Sequence, residues 1–440
     1  MKSSTKTNIS ELREFFACVR AGDHRKVKQC LKDKFVDVDS VDPDDPLGPT
    51  AIIIASELGD VKMVQMFMRA KPKPANVNAE TVNGRRAIWL AAKQGNKTLA
   101  EKLLKDKKCE VNYIDRETGC SPMLRAIISN KADVVRLLLH AGGDVNLRRL
   151  GFVQGAETPL IKSVQMDNLE ICQMLVNSLC DKNAKTEDGL TALHYAVAYR
   201  RYDICRFLLS ERIKVHASSC NGVTSMLIAI EHHNAAMVRL LIQYGYKLDR
   251  PYRWGEMPIQ QAIALHSQLC AMTLAYWGCS LELKSSKASK KVEPFSAFYL
   301  AVGERLMTLA RLLIDLHPAF LREKWLWQRD WPVSLYRRPM VRQWLLDQAS
   351  TPRTLKKLCR AAIFQRLGLY APKKIEKLPI SQPLKDYLCF PEHIKEEFYL
   401  EKTLSNEDCP YDCAVLCSSR QCPPLDLSFS DDSDQDIEYW

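Results

Sequence analysis

The sequence predicts an all-α solenoid of about nine stacked helix pairs with β-turn tips, followed by a small helical module and a flexible tail. Three observations carry this. A block reading Thr-Pro-Leu-x-x-Ala, or a near relative, recurs with its last residue at Ala55, Ala91, Ala126, Ser163, Ala196, Ala229, Ala262 and, in degenerate form, Ala301. The intervals are 36, 35, 37, 33, 33, 33 and 39 residues, a self-similarity that marks stacked repeats. Each block is followed by an apolar run at helical spacing, as in Val134 to Leu139, Ile204 to Leu209 and Met237 to Ile242. Turn signals precede the blocks at Asn83-Gly84, Thr118-Gly119, Asp188-Gly189, Asn221-Gly222 and Trp254-Gly255, where glycine accepts the positive φ of a tight turn.

Each element follows in chain order. Leu12 to Leu31, around Ala21-Gly22-Asp23, has the helix-loop-helix pattern without the block and reads as an N-terminal cap, since terminal repeats face water on one side. Within each block the Thr hydroxyl caps the inner helix, Pro suits a first turn that needs no N–H partner, and the small Ala lets paired helices approach. Unit length and block together resemble the ankyrin repeat family, and the array is expected over residues 11–322.

Four of the eight tryptophans, Trp325, Trp327, Trp331 and Trp344, fall in residues 323–350. Large aromatics need burial, so this stretch is expected to pack over the last repeat as a cap or linker. Next, Pro352 and Gly368 bracket a helix on which Leu355, Leu358, Cys359, Ala362, Ile363 and Leu367 form one apolar stripe. Periodicity shows an amphipathic helix and no more. The residues themselves, Leu355, Cys359 and Ile363 at intervals of four, resemble the elongin-binding helix of the SOCS box. Ile375 to Leu388, containing Leu378-Pro379-Ile380 and Leu384-Lys385-Asp386-Tyr387-Leu388, resembles its cullin-5 segment, with Ser381 standing where the pattern has a second proline.

What the resemblance implies is a three-helix SOCS box over residues 351–390. Leu355, Leu358, Cys359 and Ile363 would bind elongin C, and Leu378, Pro379, Ile380, Leu384, Tyr387 and Leu388 a cullin. The combination is that of the ankyrin repeat and SOCS box family, whose members are non-catalytic substrate-recognition subunits of elongin B/C–cullin-5–RING ubiquitin ligases. Residues 391–440 depart from the family. Cys409, Cys413, Cys417 and Cys422 lack the paired spacing of common zinc sites, and residues 426–440 hold six acids and no Lys or Arg, so a disordered, flexible tail is expected. Ser428, Ser430 and Ser433 sit among those acids as candidate phosphorylation sites.

Targets of an ankyrin array meet its turn tips and inner-helix face. Aromatic, Met and cationic side chains favoured in interface hot spots single out Arg125, Lys162, Met166, Tyr195, Tyr199 and His232 on that face, with Phe152 and Trp254 at turns. The residues from Leu147 to Glu157 make a longer turn than their neighbours, from which Phe152 is expected to protrude. Each of these residues also has a plainer role, packing between repeats.

Composition excludes several other classes. Apolar residues make up 46% and charged ones 26%, a globular balance. The sixteen cysteines are scattered through apolar runs with no disulfide frame, and the N-terminus has no apolar leader, which together point to a reducing cytoplasmic or nuclear setting. The net charge of +11 is spread along the chain without the interleaved aromatics of a nucleic-acid site, so neither nucleic acid nor membrane is expected as a partner. No nucleophile–base pair, ligand-spaced histidines or Gly-rich phosphate loop is present, so neither catalysis nor a metal or other cofactor is expected. His194 occupies a structural slot in its block, and His232-His233 are adjacent rather than at ligand spacing. The competing reading is an ankyrin scaffold outside any ligase, its C-terminal helices serving only as a cap.

Overall fold

The computed structural model describes residues 9–32, 36–71, 73–149, 157–250, 252, 256–281, 296–328, 330–368 and 370–389. Among these, nine helix pairs stack in register: Ile9–Arg20 with His24–Lys32 (α1, α2), Ala51–Glu57 with Val61–Met68 (α3, α4), Ala87–Gln94 with Lys97–Leu103 (α5, α6), Pro122–Ile128 with Ala132–His140 (α7, α8), Pro159–Gln165 with Leu169–Asn177 (α9, α10), Ala192–Ala198 with Tyr202–Ser210 (α11, α12), Ser225–Glu231 with Ala235–Gln243 (α13, α14), Pro258–Ala264 with Gln268–Tyr276 (α15, α16) and Ala297–Gly303 with Met307–Leu316 (α17, α18). The turn tips form isolated antiparallel bridges at Val41–Thr50, Glu80–Arg86 and Ser218–Thr224. The last residue of all eight blocks is fully buried. Ser163, standing where the others have Ala, donates its hydroxyl to Leu160 O at 2.8 Å, so its polarity costs little there.

Caps form as the block chemistry predicts at Ser121, Thr158, Thr224 and Ser296, whose hydroxyls accept from the N–H three residues on. Thr191 differs: its hydroxyl and backbone N–H both meet Nδ1 of His194, at 2.9 and 3.1 Å. That acceptor role puts the neutral ring's proton on Nε2, which faces the backbone of Ala217 and Val223 in the next repeat. Burial lowers the His194 pKa to about 4.

Two repeat-wide features lie beyond the block. The junction between inner and outer helix is left-handed in all nine pairs, at Gly22, Gly59, Gly95, Asn130, Asp167, Arg200, His233, His266 and Arg305, with φ from 52° to 73°. A ladder of side-chain acceptors also ties each turn tip to the next. Asp39 accepts from Asn76 N, Asn78 from Glu110 N, Asn112 from Asp144 N, Asn146 from Asp181 N, Asn183 from Lys214 N, His216 from Lys247 N and Asp249 from Ser280 N, at 2.7 to 3.3 Å. At about 0.5–1.5 kcal/mol per bond, the rungs add to the packing that holds neighbours in register.

Beyond α18 come two 3₁₀ turns, Pro318–Arg322 and Val333–Leu335, and helices α19 (Lys324–Gln328) and α20 (Pro339–Ser350). The tryptophans cap the last repeat only in part. Trp325 packs on Phe298, Tyr299 and Trp331, and Trp331 is buried, but Trp327 is 54% exposed. Trp327 Nε1 donates to Leu321 O at 2.9 Å, which holds its ring at the surface. The terminal module is α21 (Leu355–Leu367), α22 (Ala371–Glu376) and α23 (Gln382–Leu388). Among the described residues no helix is long and apolar enough to cross a membrane, and no cluster of three or more His, Cys, Asp or Glu could hold a metal. The tail from residue 391, with its four cysteines and three serines, lies outside the described residues.

Candidate functional site

Two surfaces stand out. The first is the inner-helix face, where the repeat register places side chains in rows. Arg125, Lys162 and Tyr195 each lie four residues past the cap of their helix, in α7, α9 and α11; Met166, Tyr199 and His232 lie eight past it, at the helix ends of α9, α11 and α13. The sequence candidates therefore share one face. Tyr195 and Tyr199 stack with ring centroids 6.4 Å apart and 16° between planes, and Tyr199 is 40% exposed. Burial raises the Tyr195 hydroxyl to about 12 and lowers the His232 pKa, the latter with help from the Arg200 guanidinium and the neighbouring His233.

The cations are less free than their sequence positions imply. Arg125 lies 5.0 Å from the Trp89 ring, which also meets Arg85 at 5.2 Å. Lys162 Nζ donates to Gln165 at 2.8 Å and sits 3.4 Å from the buried Glu157 carboxylate. Both pack within the array while bordering the face. The same row of eight also holds Leu58 and Leu265, 53% and 37% exposed, which sequence reading passed over as ordinary leucines. Counting eight residues from each block's first position would have found them. Phe152 and Trp254, and the centre of the long turn at 150–156, lie outside the described residues.

The second surface is α21. Thr354 caps it by accepting from Lys357 N, and Gly368 ends it at φ 61°. The expected stripe divides. Leu355, Leu358 and Ile363 are 76%, 42% and 41% exposed, and Cys359 and Ala362 are exposed beside them. Leu367 leaves the stripe: it is half-buried against the core, in a helix that packs on α18 and α22. The buried face is instead Arg360, Ala361 and Phe364. Phe364 packs on Tyr276 at 5.7 Å, and Gln365 donates to Leu316 O at 2.7 Å.

Further bonds fix this module to the array. Arg353 pairs with Asp315 at 2.9 Å, both largely buried. Tyr370 reaches back two repeats, with its N–H on Trp277 O and its hydroxyl on Tyr246 O, each at 3.0 Å. It does so at φ 61°, a left-handed conformation costly for a bulky residue. Lys373 Nζ donates to Gln243 O at 2.8 Å.

The six residues matched to the cullin segment fall into two groups. Pro379 and Leu384 are exposed, and Leu378 and Ile380 are half-buried. Tyr387 is half-buried and Leu388 buried, so both pack within the module. Leu388 is 3% exposed, and the Tyr387 ring lies 4.4 Å from Lys356 Nζ and 4.7 Å from the Arg360 guanidinium of α21. The pair holds α23 on α21, as a three-helix module this small needs for a core. Ser381 stands at the N-cap position of α23 without a side-chain cap bond, at φ −64°, the angle a proline ring imposes, so it preserves the backbone of the pattern's proline.

Comparison with known proteins agrees with this architecture. The model of ankyrin repeats in three copies matches residues 15–115, 71–149 and 149–219, and the SOCS box model matches residues 351–389. Alpha-latrotoxin-Lg1a of Latrodectus geometricus is 34% identical over 133 residues, 30% of this chain and 9% of the toxin. An ankyrin repeat-containing protein of Schizosaccharomyces pombe is 35% identical over 106 residues, 24% of this chain and 47% of that protein. The matches thus span about a tenth and about half of those relatives. Among solved structures, the ankyrin repeat domain of Bcl-3 aligns at 22% identity and TM-score 0.47, over 52% of this chain and 99% of that one. Human ASB11's ankyrin repeat domain aligns at 21% and 0.41, over 49% and 98%. With an ankyrin array leading into a SOCS box, the chain belongs to the ankyrin repeat and SOCS box family.

Proposed function

We propose that this protein is the target-binding subunit of an elongin B/C–cullin-5–RING ubiquitin ligase, itself without catalytic activity. The observation that carries the reading is α21. One face is locked onto the array, while the opposite face leaves Leu355, Leu358, Cys359 and Ile363 in solvent. A helix serving only as a cap would bury its apolar stripe; an exposed stripe of this kind favours a helix-in-groove partner. Elongin C is the partner the SOCS box implies. The array would hold a protein target on the inner-helix face, and the complex would raise the local concentration of target lysines at the ubiquitin-loaded enzyme. Buried thiols such as Cys205 and Cys279, left unpaired, fit a reducing cytoplasmic or nuclear setting.

Co-purification of the full chain with elongins B and C tests the reading. Wild type should retain both, and Cys359→Phe, which puts a large ring on the exposed stripe, should lose them without a change in melting temperature. Failure of wild type to retain elongins would leave the scaffold reading in its place. Preferential recovery of cullin-2 over cullin-5 would refute the use made of Leu378 and Pro379.

A further inference from the structure

The net charge of +11 joins two parts of opposite sign. Of 63 Lys and Arg and 52 Asp and Glu, residues 391–440 hold 3 and 13, which puts −10 there and +21 on residues 1–390. Asp431, Asp432, Asp434, Asp436 and Glu438 crowd into eight residues. On the inner-helix side of α5 and α7, cations gather around one ring. Trp89 is 1% exposed, and Arg125, Arg85 and Lys93 lie 5.0, 5.2 and 6.0 Å from it. Arg85 pairs with Glu117 at 2.7 Å. Lys93, which is exposed, and Arg125, which is half-buried, have no acidic partner among the described residues. Trp89 Nε1 and Arg125 Nε are shielded and have no acceptor. In the next repeat Lys162, at the register position of Arg125, does have a carboxylate beside it, that of Glu157.

We propose that the acidic segment Asp431 to Glu438 docks on this cationic surface, so that the chain's own C-terminal region covers part of its inner-helix face. Cations held around one buried ring repel one another, and an incoming carboxylate relieves that repulsion while gaining charge-assisted bonds. The ring in turn keeps the Arg125 guanidinium oriented before anything arrives. Tether length suits the contact. Cys389 lies against Tyr276 at the end of α16, and from the α15–α16 pair to α7 and α5 is four to five steps of the stack, about 30–50 Å at 8–10 Å per step. Forty-two residues lead from Cys389 to Asp431. A flexible chain of that length spans about 30–40 Å on average and about 140 Å at full stretch. Span and tether match, which is the condition for a high effective concentration. Seated there, the segment would compete with targets for the face; that consequence, unlike the contact itself, rests on the target-binding reading above.

A fluorescent peptide of residues 426–440, followed by anisotropy at low ionic strength, tests the contact. Its receptor is the full chain carrying Asp431→Asn, Asp432→Asn, Asp434→Asn, Asp436→Asn and Glu438→Gln, which frees the surface of its own segment. This neutralised chain should bind the peptide saturably, and wild type, with its segment in place, about tenfold more weakly or less. Adding Lys93→Gln and Arg125→Gln to the neutralised chain should weaken binding about tenfold. Lys105→Gln with Lys107→Gln, exposed on the far side of the same repeat, removes equal charge and should leave binding nearly unchanged. Lys93→Gln alone, at an exposed position, should weaken binding about threefold and reads the site even where Arg125→Gln lowers the melting temperature. Phosphorylation of the peptide at Ser430 and Ser433 adds charge of the same sign and should tighten binding. No saturable binding to the neutralised chain, binding by wild type as tight as by that chain, or equal loss from the two double substitutions overturns the proposal. Elongin co-purification of the same proteins is read in parallel, so failure of this contact with elongins retained leaves the ligase reading standing.

Discussion

Leu355→Ala separates an exposed docking residue from a structural one. With 76% of the residue in solvent, the unbound protein gains little from this side chain, and truncation should change folding stability by no more than about 0.5 kcal/mol. A partner groove that covers it removes that exposed share from water. Full burial of a leucine is worth about 1.5–3 kcal/mol, so three-quarters of it is about 1–2 kcal/mol, or about a 5- to 30-fold loss of elongin affinity. Phe364→Ala, about two and a half turns along the helix on the opposite face and 4% exposed, should show the converse signature, with about 3–5 kcal/mol lost from folding. Calorimetric titration with the elongin B/C dimer and urea denaturation of both variants give the two quantities. If Leu355→Ala binds as wild type does, or if it unfolds as readily as Phe364→Ala, the exposed stripe is not the contact surface.

Other expectations follow from single residues. Because the folded His194 has a pKa of about 4 against an unperturbed 6.5, the unfolded chain binds the extra proton first. Stability should therefore fall as pH drops from 6.5 toward 4, by up to about 3 kcal/mol, and His194→Asn should flatten that part of the denaturation-versus-pH curve; an unchanged slope would contradict the assignment. Leu179 is 87% exposed at φ 60°, a position where the corresponding turns of other repeats carry Gly142, Gly245 and Gly278. Leu179→Gly should raise stability by about 0.5–1 kcal/mol, measured by thermal melting. Ser381→Pro, at a φ already matching proline, should stabilise the C-terminal module by about 0.4–1 kcal/mol in urea titrations and leave elongin binding intact.

Much of this structure was legible beforehand because the repeat imposes one rule on every unit. The block gave the inner helices, and its small last residue was bound to be buried wherever two helices meet at that point. His194 reads as structural because its slot recurs. The C-terminal stripe was visible as periodicity, and the SOCS-box resemblance pointed Leu355 at a partner, but periodicity alone would have made Leu355 core and Arg360 surface. Their exchange is a tertiary effect: Phe364 finds Tyr276, the Arg360 guanidinium finds the Tyr387 ring, and no spacing rule carries contacts between helices so far apart in sequence. The burial of Leu388 was not visible for the same reason. The acceptor ladder escaped notice because its residues, from Asp39 through Asn183 to Asp249, vary in type and lie in loops. Leu58 and Leu265 needed only the register counted to the end of each helix.

The anchorage of Tyr370 on Trp277 and Tyr246, with Arg353 on Asp315, leaves the C-terminal module no free swivel against the array. In a ligase this makes the receptor a rigid strut, so the height and bearing of a captured target relative to the elongin groove are set by how many repeats separate them. Neighbouring helices pack about 8–10 Å apart, and inserting one repeat between α12 and α13, ahead of the pair that Tyr370 grips, would carry a target held on the preceding repeats about that far and rotate it by one step of the superhelix. Which lysines come within reach of the ubiquitin-loaded enzyme would then change while every contact to the target stayed the same. Repeat number, ordinarily read as a measure of binding area, would on that reading act as a ruler for the position of ubiquitylation.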